Sequence, residues 1–144
     1  MKERFKLVPA VYLIVKNGNK ILLSLRKNTG YMDGYYGLVS GHVDGNEPAR
    51  FACIREAMEE AGMEISMEEL KIGCMMHRLT NERECMDIFF VLEDYYGKLE
   101  NMEPEKCDGL KYFDMDNLPE NIIPYVDTAI KNSLNNMVYC EYGF

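Results

Sequence analysis

The sequence predicts an α/β fold, in which a mixed β-sheet is sandwiched between helices. Short segments rich in β-forming residues are interleaved with two stretches of helical pattern, and this order places helices against a sheet within one small domain. The chain has 144 residues, of which 47% are hydrophobic, so it suits one domain with a core and is not a disordered chain. We therefore predict a single domain over residues 1–144.

The first part of the sheet is predicted to begin with a β-hairpin. Residues 7–15 are apolar and rich in β-formers, the turn signal Asn-Gly-Asn follows at 17–19, and residues 21–25 form the returning strand. Residues 30–37 are rich in glycine and tyrosine, which favours a loop. Residues 38–39 are predicted to form a short strand after that loop.

The next segment predicts a helix over residues 48–61. Pro48 suits the first helical position, and Gly62 suits the residue just past the end, where a left-handed conformation is favoured. At 100° per residue, an apolar stripe forms on one side of this helix, and we expect that stripe to face the core. The stripe consists of Phe51, Ile54, Ala57, Met58 and Ala61.

The second half of the chain predicts the remaining strands and another helix. Residues 70–77 and 86–92 have the composition of buried strands. Residues 101–109 are predicted to form a loop, and residues 110–113 a short strand. Residues 124–134 are predicted to form the second helix.

Three carboxylates lie on one face of the first predicted helix. Glu56, Glu59 and Glu60 stand at positions i, i+3 and i+4, so they are neighbours on the helix surface. Like charges in this arrangement cost about 0.2–0.5 kcal/mol per pair. A divalent cation among them is the simplest compensation, and the alternative is an ordinary solvated helix face.

These carboxylates belong to a longer pattern, G-x5-E-x7-R-E-U-x-E-E-x-G-U, in which U is an apolar residue. Seven fixed residue types at average usage would coincide by chance on the order of once in 10^8 start positions. The pattern is the Nudix box, so the chain resembles the Nudix hydrolases over nearly its whole length. The residues that meet it are Gly41, Glu47, Arg55, Glu56, Ala57, Glu59, Glu60, Gly62 and Met63.

The resemblance implies the Nudix-type α/β/α sandwich and the metal-dependent cleavage of a nucleoside diphosphate linked to a further group. It implies that Glu56, Glu59, Glu60 and the Gly41 carbonyl bind Mg²⁺ or Mn²⁺, for which hard oxygen ligands are suitable.

The resemblance also implies a catalytic set around these ligands. Glu47 is expected to orient Arg55, and Glu56 or another carboxylate such as Glu59 is expected to deprotonate the attacking water. The catalytic set predicted from the box is therefore Glu47, Arg55, Glu56 and Glu59.

Four residues outside the box are candidates for substrate binding, each with a structural alternative. Arg26, followed by Lys27, contacts phosphates or is a surface charge. Tyr36 stacks on a base or packs against the sheet. Glu103 lies in a loop where some relatives place a catalytic base, or it is a solvated loop charge. Asn121 reads the base, as in MutT-type relatives, or caps a helix.

The substrate class is predicted by elimination. Residues 75–85 lack the Pro that ADP-ribose relatives often carry and the Tyr that dinucleoside-polyphosphate relatives often carry. The chain also has no Trp, which the signature of the NADH-cleaving relatives contains. The first interpretation is a MutT-like nucleoside triphosphate pyrophosphohydrolase. The alternatives are an ADP-ribose or nucleotide-sugar pyrophosphatase and a non-catalytic nucleotide-binding regulatory domain.

Net charge and cysteine content limit which partners and which cell compartment are expected. The net charge of −8 without a basic stripe argues against a nucleic-acid partner. Five cysteines, an odd number without a CxxC pair, argue against a disulfide framework and a zinc site and favour a reducing cytoplasm. No apolar segment is long enough to span a membrane. The expected partner is a small nucleotide, and a homodimer is left open.

Overall fold

The computed structural model of the protein describes residues 2–144. One sheet and two helices account for its regular structure, together with a short 3-10 turn at Met67–Glu69. The strands are β1 (Val8–Asn17), β2 (Lys20–Arg26), β3 (Tyr36–Gly37), β4 (Val39–His42), β5 (Lys71–Leu79), β6 (Glu84–Glu93), β7 (Cys107–Asp114) and β8 (Tyr139–Tyr142). The helices are α1 (Ala49–Ala61) and α2 (Pro124–Leu134).

The sheet is mixed, as predicted. Its main strand order is β3-β2-β1-β6-β5-β8, with β4 paired to β1 and β7 paired to β2. The β1–β6 and β5–β8 pairs are parallel, and the other pairs are antiparallel. Because β1 contacts β2, β4 and β6, it is the central strand of the fold.

Strand β1 is buried on both faces of the sheet, with α1 packed on one face and α2 on the other. Its odd-numbered residues from 11 to 15 belong to the core cluster on the α1 face, and its even-numbered residues from 10 to 14 belong to the cluster on the α2 face. A strand buried on both faces reads as a continuous apolar run, which is what the sequence shows here. The predicted α/β/α arrangement is therefore confirmed.

The ends of α1 differ slightly from the prediction. Pro48 is the N-cap residue and not the first helical residue, with extended backbone angles of φ −64° and ψ 150°. Its carbonyl accepts the Ala52 N–H at 3.1 Å, so the helix begins one residue later than expected. Gly62 ends the helix in the left-handed conformation, at φ 65°, as predicted.

The prediction that the apolar stripe of α1 faces the core was wrong for two of its large residues, Phe51 and Met58. Phe51 is 50% exposed and Met58 is 42% exposed, while small residues form the buried face. The helix lies close to β1 and β4, where there is room for alanines and a cysteine but not for a phenylalanine ring. The buried face of α1 is therefore rotated from the predicted one. As a result, the side of the helix that carries Glu56 and Glu60 lies against β4. The buried residues of the helix are Ala52, Cys53, Ala57 and Ala61.

The remaining corrections concern short strands. The end of the predicted loop 30–37 pairs with β2 as β3, and β7 begins inside the predicted loop 101–109. Strand β8 was not predicted; it has four residues, lies at the edge of the sheet and pairs parallel to β5. Helix α2 has the predicted bounds. Within residues 2–144, neither helix has the length and apolar character needed to cross a bilayer.

Candidate active site

Arg55 is the centre of a charged network on α1. Its Nε donates to Glu47 Oε1 at 3.3 Å, its Nη2 donates to Glu47 Oε2 at 3.0 Å, and its Nη1 donates to Glu56 Oε1 at 2.9 Å. Glu59 Oε2 lies 3.5 Å from Nη1. The hydrogen bonds from Arg55 hold the pKa of Glu47 below its ordinary value. The predicted contact between Arg55 and Glu47 is therefore present, and the charge of Arg55 is satisfied within the protein.

The close approach of Glu56 to β4 depends on Gly41. A Cβ placed on Gly41 would lie 2.6 Å from Cγ of Glu56 and closer still to its carboxylate. The carboxylate therefore occupies the space that a side chain at position 41 would fill. Glycine is required here for space and not for an unusual backbone angle.

Glu60 lies beside a cavity of about 280 Å³ between β4, the end of β2 and the segment that leads into β7. The Ser40 N–H donates to Glu60 Oε2 at 3.4 Å. Burial raises the pKa of Glu60 to about 9, and the neighbouring charges of Glu56 and Glu103 act in the same direction. The cavity is also lined by Arg26 and Lys106, so an acidic wall and basic side chains share one space.

The other predicted substrate residues have mixed positions. Arg26 reaches the cavity, but its Nε donates to the Tyr31 carbonyl at 2.8 Å and thereby also supports its own loop. Glu103 lines the same cavity. Tyr36 is half-buried and meets the Phe113 ring edge-on at 4.9 Å, which is the packing alternative.

The structure decides only one of the two roles that were considered for Asn121, the capping role. Asn121 is exposed, and its Nδ2 donates to the Gly34 carbonyl at 2.9 Å. The capping alternative was wrong, because Ile123 is the N-cap residue of α2 and makes no side-chain cap bond. Base reading by Asn121 stays a prediction.

Comparison with known proteins identifies the family. The NUDIX domain family model matches residues 6–132, which is most of the chain. This chain belongs to the Nudix hydrolase family. The predicted resemblance, which came from the residues between Gly41 and Met63, is confirmed.

A named relative of this Nudix protein supports the same grouping. This chain is 31% identical over 110 residues to an oxidized purine nucleoside triphosphate hydrolase of Danio rerio, and the match covers 74% of this chain. It spans 65% of that relative's length.

Solved structures share the fold. A MutT NUDIX hydrolase from Burkholderia pseudomallei has a TM-score of 0.80 at 23% identity, covering 89% of this chain and 98% of the other. The NUDIX domain of Shewanella oneidensis NrtR, complexed with ADP ribose, has a TM-score of 0.76 at 13% identity, covering 94% and 91%. At such identities, these structures bear on the fold alone.

Nudix hydrolases generally need a divalent metal, and the donor set here suits one. Glu56 and Glu60 provide neighbouring carboxylates, and Glu60 has no cationic partner among residues 2–144. A hard divalent cation is the natural compensation for a buried carboxylate beside two others. As the side chains stand, no three His, Cys, Asp or Glu residues of the described chain are grouped closely enough to hold a metal ion. Glu59 is 52% exposed, and its Oε2 lies 3.5 Å from Arg55 Nη1.

Two groups of residues near the box were missed in the sequence. Lys106 reaches the cavity from an irregular segment, and no local pattern indicated its position. Arg78 and Asp87 are 7% and 0% exposed, at inward positions of β5 and β6. A charged residue at an inward position of each of two apolar strands was a usable signal for this buried pair.

Proposed function

We propose that this chain is a divalent-cation-dependent hydrolase that cleaves a nucleoside triphosphate to a monophosphate and pyrophosphate. The observation that carries the proposal is the cavity whose lining includes the Glu60 carboxylate together with the basic residues Arg26 and Lys106. A polyphosphate with a bound cation needs both kinds of charge around it. The relative from Danio rerio, whose name specifies a purine nucleoside triphosphate, supports the substrate class.

The cation that we propose is Mg²⁺ or Mn²⁺, held by Glu56, Glu59, Glu60 and the Gly41 carbonyl. Bound there, it would neutralise phosphate charge and polarise a phosphoryl oxygen. Glu59 would leave its 3.5 Å contact with Arg55 to take part, and its half-exposed position allows this change of rotamer.

The chain's own residues then have distinct tasks. Arg55 positions Glu56 through the 2.9 Å bond to Oε1, and Glu47 holds Arg55 in place. We assign proton abstraction from the attacking water to Glu56, with Glu59 as the alternative base. Arg26 lines the same cavity and contributes positive charge for the phosphate chain.

Product analysis in 18O-labelled water tests the proposal. The purified protein with Mg²⁺ is assayed against nucleoside triphosphates, ADP-ribose, nucleotide sugars and dinucleotides. We expect pyrophosphate and a monophosphate from triphosphates, with one labelled oxygen per cleavage. Much faster turnover of ADP-ribose or a nucleotide sugar refutes the triphosphate assignment, and binding of nucleotides without any turnover favours the regulatory alternative.

Arg26 and its neighbour Lys27 offer a matched pair of variants. Arg26 is the last residue of β2 and Lys27 follows it directly, but Lys27 pairs with Asp108 at 3.6 Å, while Arg26 lines the cavity. Arg26→Ala should raise KM for the triphosphate, and Lys27→Ala should leave it close to the wild-type value. Equal effects of the two substitutions would remove the phosphate role of Arg26.

Three broader expectations stay predictions. These are the organisation of residues 1–144 as a single domain, the cytoplasmic location and the homodimer. The net charge of −8 continues to favour a small nucleotide over a nucleic acid as the partner.

A further inference from the structure

The loop between β2 and β3 has an unusual backbone. Four alternate residues of this loop have positive φ angles, between 51° and 83°: Asn28, Gly30, Met32 and Gly34. The left-handed region costs free energy for a residue with a large side chain such as Met32. Contacts from other side chains are therefore needed to hold the loop in this conformation.

Asp33 supplies several of these contacts. Its Oδ1 accepts from the Thr29 hydroxyl at 2.5 Å, and its Oδ2 accepts from the Gly30 N–H at 2.9 Å. The Thr29 N–H lies 3.1 Å from both carboxylate oxygens. The hydrogen bond from the Thr29 hydroxyl, followed by that from Gly30, holds the pKa of Asp33 below its ordinary value. The carboxylate is therefore ionised at neutral pH and acts only as an acceptor.

The Thr29 hydroxyl connects Asp33 to Arg26. This hydroxyl has one hydrogen and two lone pairs. Its contact with Asp33, at 2.5 Å, is shorter than its contact with the Tyr31 carbonyl, at 2.9 Å, so the hydrogen is donated to the carboxylate. The lone pairs then accept from Arg26 Nη2 and from the Tyr31 N–H, both at 3.1 Å. Asp33 thereby sets the direction in which Thr29 accepts from Arg26.

Two of the three guanidinium nitrogens of Arg26 are bound to this loop. Nη2 donates to Thr29, and Nε donates to the Tyr31 carbonyl at 2.8 Å. Among residues 2–144, Nη1 has no hydrogen-bond partner. A planar guanidinium group with two anchored nitrogens keeps its orientation. Since Arg26 and Thr29 both line the 280 Å³ cavity beside Glu60, Nη1 is the nitrogen left for a phosphate oxygen.

We infer that Asp33 is a positioning residue for Arg26, and that it acts through the Thr29 hydroxyl to hold the guanidinium group ready for the phosphate chain. An arginine that is ordered before the substrate arrives loses less side-chain freedom on binding. Asp33 should therefore affect substrate binding and not the chemical step. This inference rests on the proposed function, because that function gives Arg26 its phosphate role.

Asp33→Asn tests the first contact in this series. The amide has nearly the same shape, but it replaces one accepting oxygen with a donor, so the Thr29 hydroxyl or the Gly30 N–H loses its acceptor. In steady-state kinetics with Mg²⁺, KM for the triphosphate should rise about 3- to 10-fold, as for one lost hydrogen bond, and kcat should stay unchanged. A folded Asp33→Asn protein with wild-type KM overturns the inference.

Thr29→Val and Thr29→Ser are a matched pair for the second contact. Valine keeps the branched shape without the hydroxyl, and serine keeps the hydroxyl without the methyl group. Thr29→Val should raise KM about as much as Asp33→Asn does, and Thr29→Ser should raise it less. A rise in KM that is at least as large for serine as for valine overturns the inference, because the hydroxyl would then not be the connecting group.

Glu69→Gln is the control for the loss of an exposed carboxylate that orders a turn. The Glu69 Oε1 accepts from the Ser66 N–H at 3.1 Å and from the Ser66 hydroxyl at 2.8 Å, in the 3-10 turn before β5. This substitution removes contacts like those of Asp33 but leaves Arg26 untouched, so KM should stay at the wild-type value. A rise in KM equal to that of Asp33→Asn would show a general loss of order and overturns the inference.

The double variant Arg26→Ala with Asp33→Asn distinguishes a role through Arg26 from any other role of the loop. If Asp33 acts through Arg26, Asp33→Asn should not raise KM further once Arg26 is absent. An additional rise that multiplies the effect of Arg26→Ala overturns the inference.

The single variants separate this inference from the proposed function. If Arg26→Ala raises KM and Asp33→Asn does not, the proposed function stands and only the inference fails. If the wild-type protein turns over no triphosphate, or if Arg26→Ala keeps the wild-type KM, the role of Arg26 in the proposed function is refuted and the inference fails with it.

Discussion

Gly41→Ala probes whether catalysis depends on the contact between α1 and β4. The added Cβ would lie 2.6 Å from Cγ of Glu56, whereas ordinary contacts begin at 3.4 Å. The Glu56 side chain would have to retreat by about 1 Å, which also lengthens its 2.9 Å bond from Arg55. The backbone itself is not strained, since Gly41 does not have a positive φ.

The expected losses of activity and of stability both follow from this displacement. A misplacement of about 1 Å in a catalytic group costs about 100-fold in rate, so kcat/KM should fall by roughly that factor. Overpacking of this kind costs about 1–3 kcal/mol in the free energy of unfolding. For a chain of this size, that corresponds to a fall in Tm of about 3–10 °C.

Steady-state kinetics with Mg²⁺ and a thermal melt measure the two effects. Gly37→Ala in β3 is the control, because its added Cβ meets mainly the flexible end of Ile123, at 3.1 Å from Cδ1. That variant should keep kcat/KM close to the wild-type value. A folded Gly41→Ala protein with wild-type kcat/KM would refute the placement of Glu56 at the reacting centre.

Three further perturbations follow from the charges around α1. Glu60→Gln should reduce turnover by orders of magnitude and raise the Mg²⁺ concentration needed for activity. It should not lower Tm, because glutamine has nearly the same size and places no charge beside Glu56 and Glu103. Full activity in EDTA contradicts this. Arg55→Ala should lower the free energy of unfolding, measured in urea, by about 2 kcal/mol and should also lower kcat, because Glu47 and Glu56 lose their partner. A structure in which Arg55 contacts substrate phosphates and not Glu47 would contradict this prediction. Because the folded-state pKa of Glu47 is depressed, its stabilising contribution is present at neutral pH and is lost as the pH falls through that pKa, below about 4.5. Glu47→Gln should therefore flatten the acid side of the Tm-against-pH profile, and an unchanged slope would argue against this linkage.

The elements predicted correctly are those whose signals are local. Helix α2 begins at Pro124, where proline suits the first helical turn, and its bounds agreed with the prediction. The hairpin of β1 and β2 turns at Gly18, which has a positive φ of 58°. In both cases, neighbouring residues in the chain supply the physical cause, so no knowledge of the packing was needed.

The errors arose where distant parts of the chain decide the outcome. The periodicity of α1 placed Phe51 and Met58 towards the core, but the close approach to the sheet favours the small residues on the adjacent face. Strand β8 has only four residues. It forms a strand because the segment after α2 pairs with the edge of β5. Its own residues carry too short a pattern to predict this pairing.

The sequence by itself determined the family and the chemical type of the candidate site. The spacing from Gly41 to Met63 fixes which side chains share one turn of α1, because helix geometry is the same in every protein. Only the tertiary structure decided what those side chains meet. It placed Glu60 in one cavity with Arg26 and Lys106, and it buried the ion pair of Arg78 and Asp87 on the neighbouring strands β5 and β6. The physical reason is that these contacts join residues far apart in the chain, and their geometry depends on how closely the helices pack on the sheet.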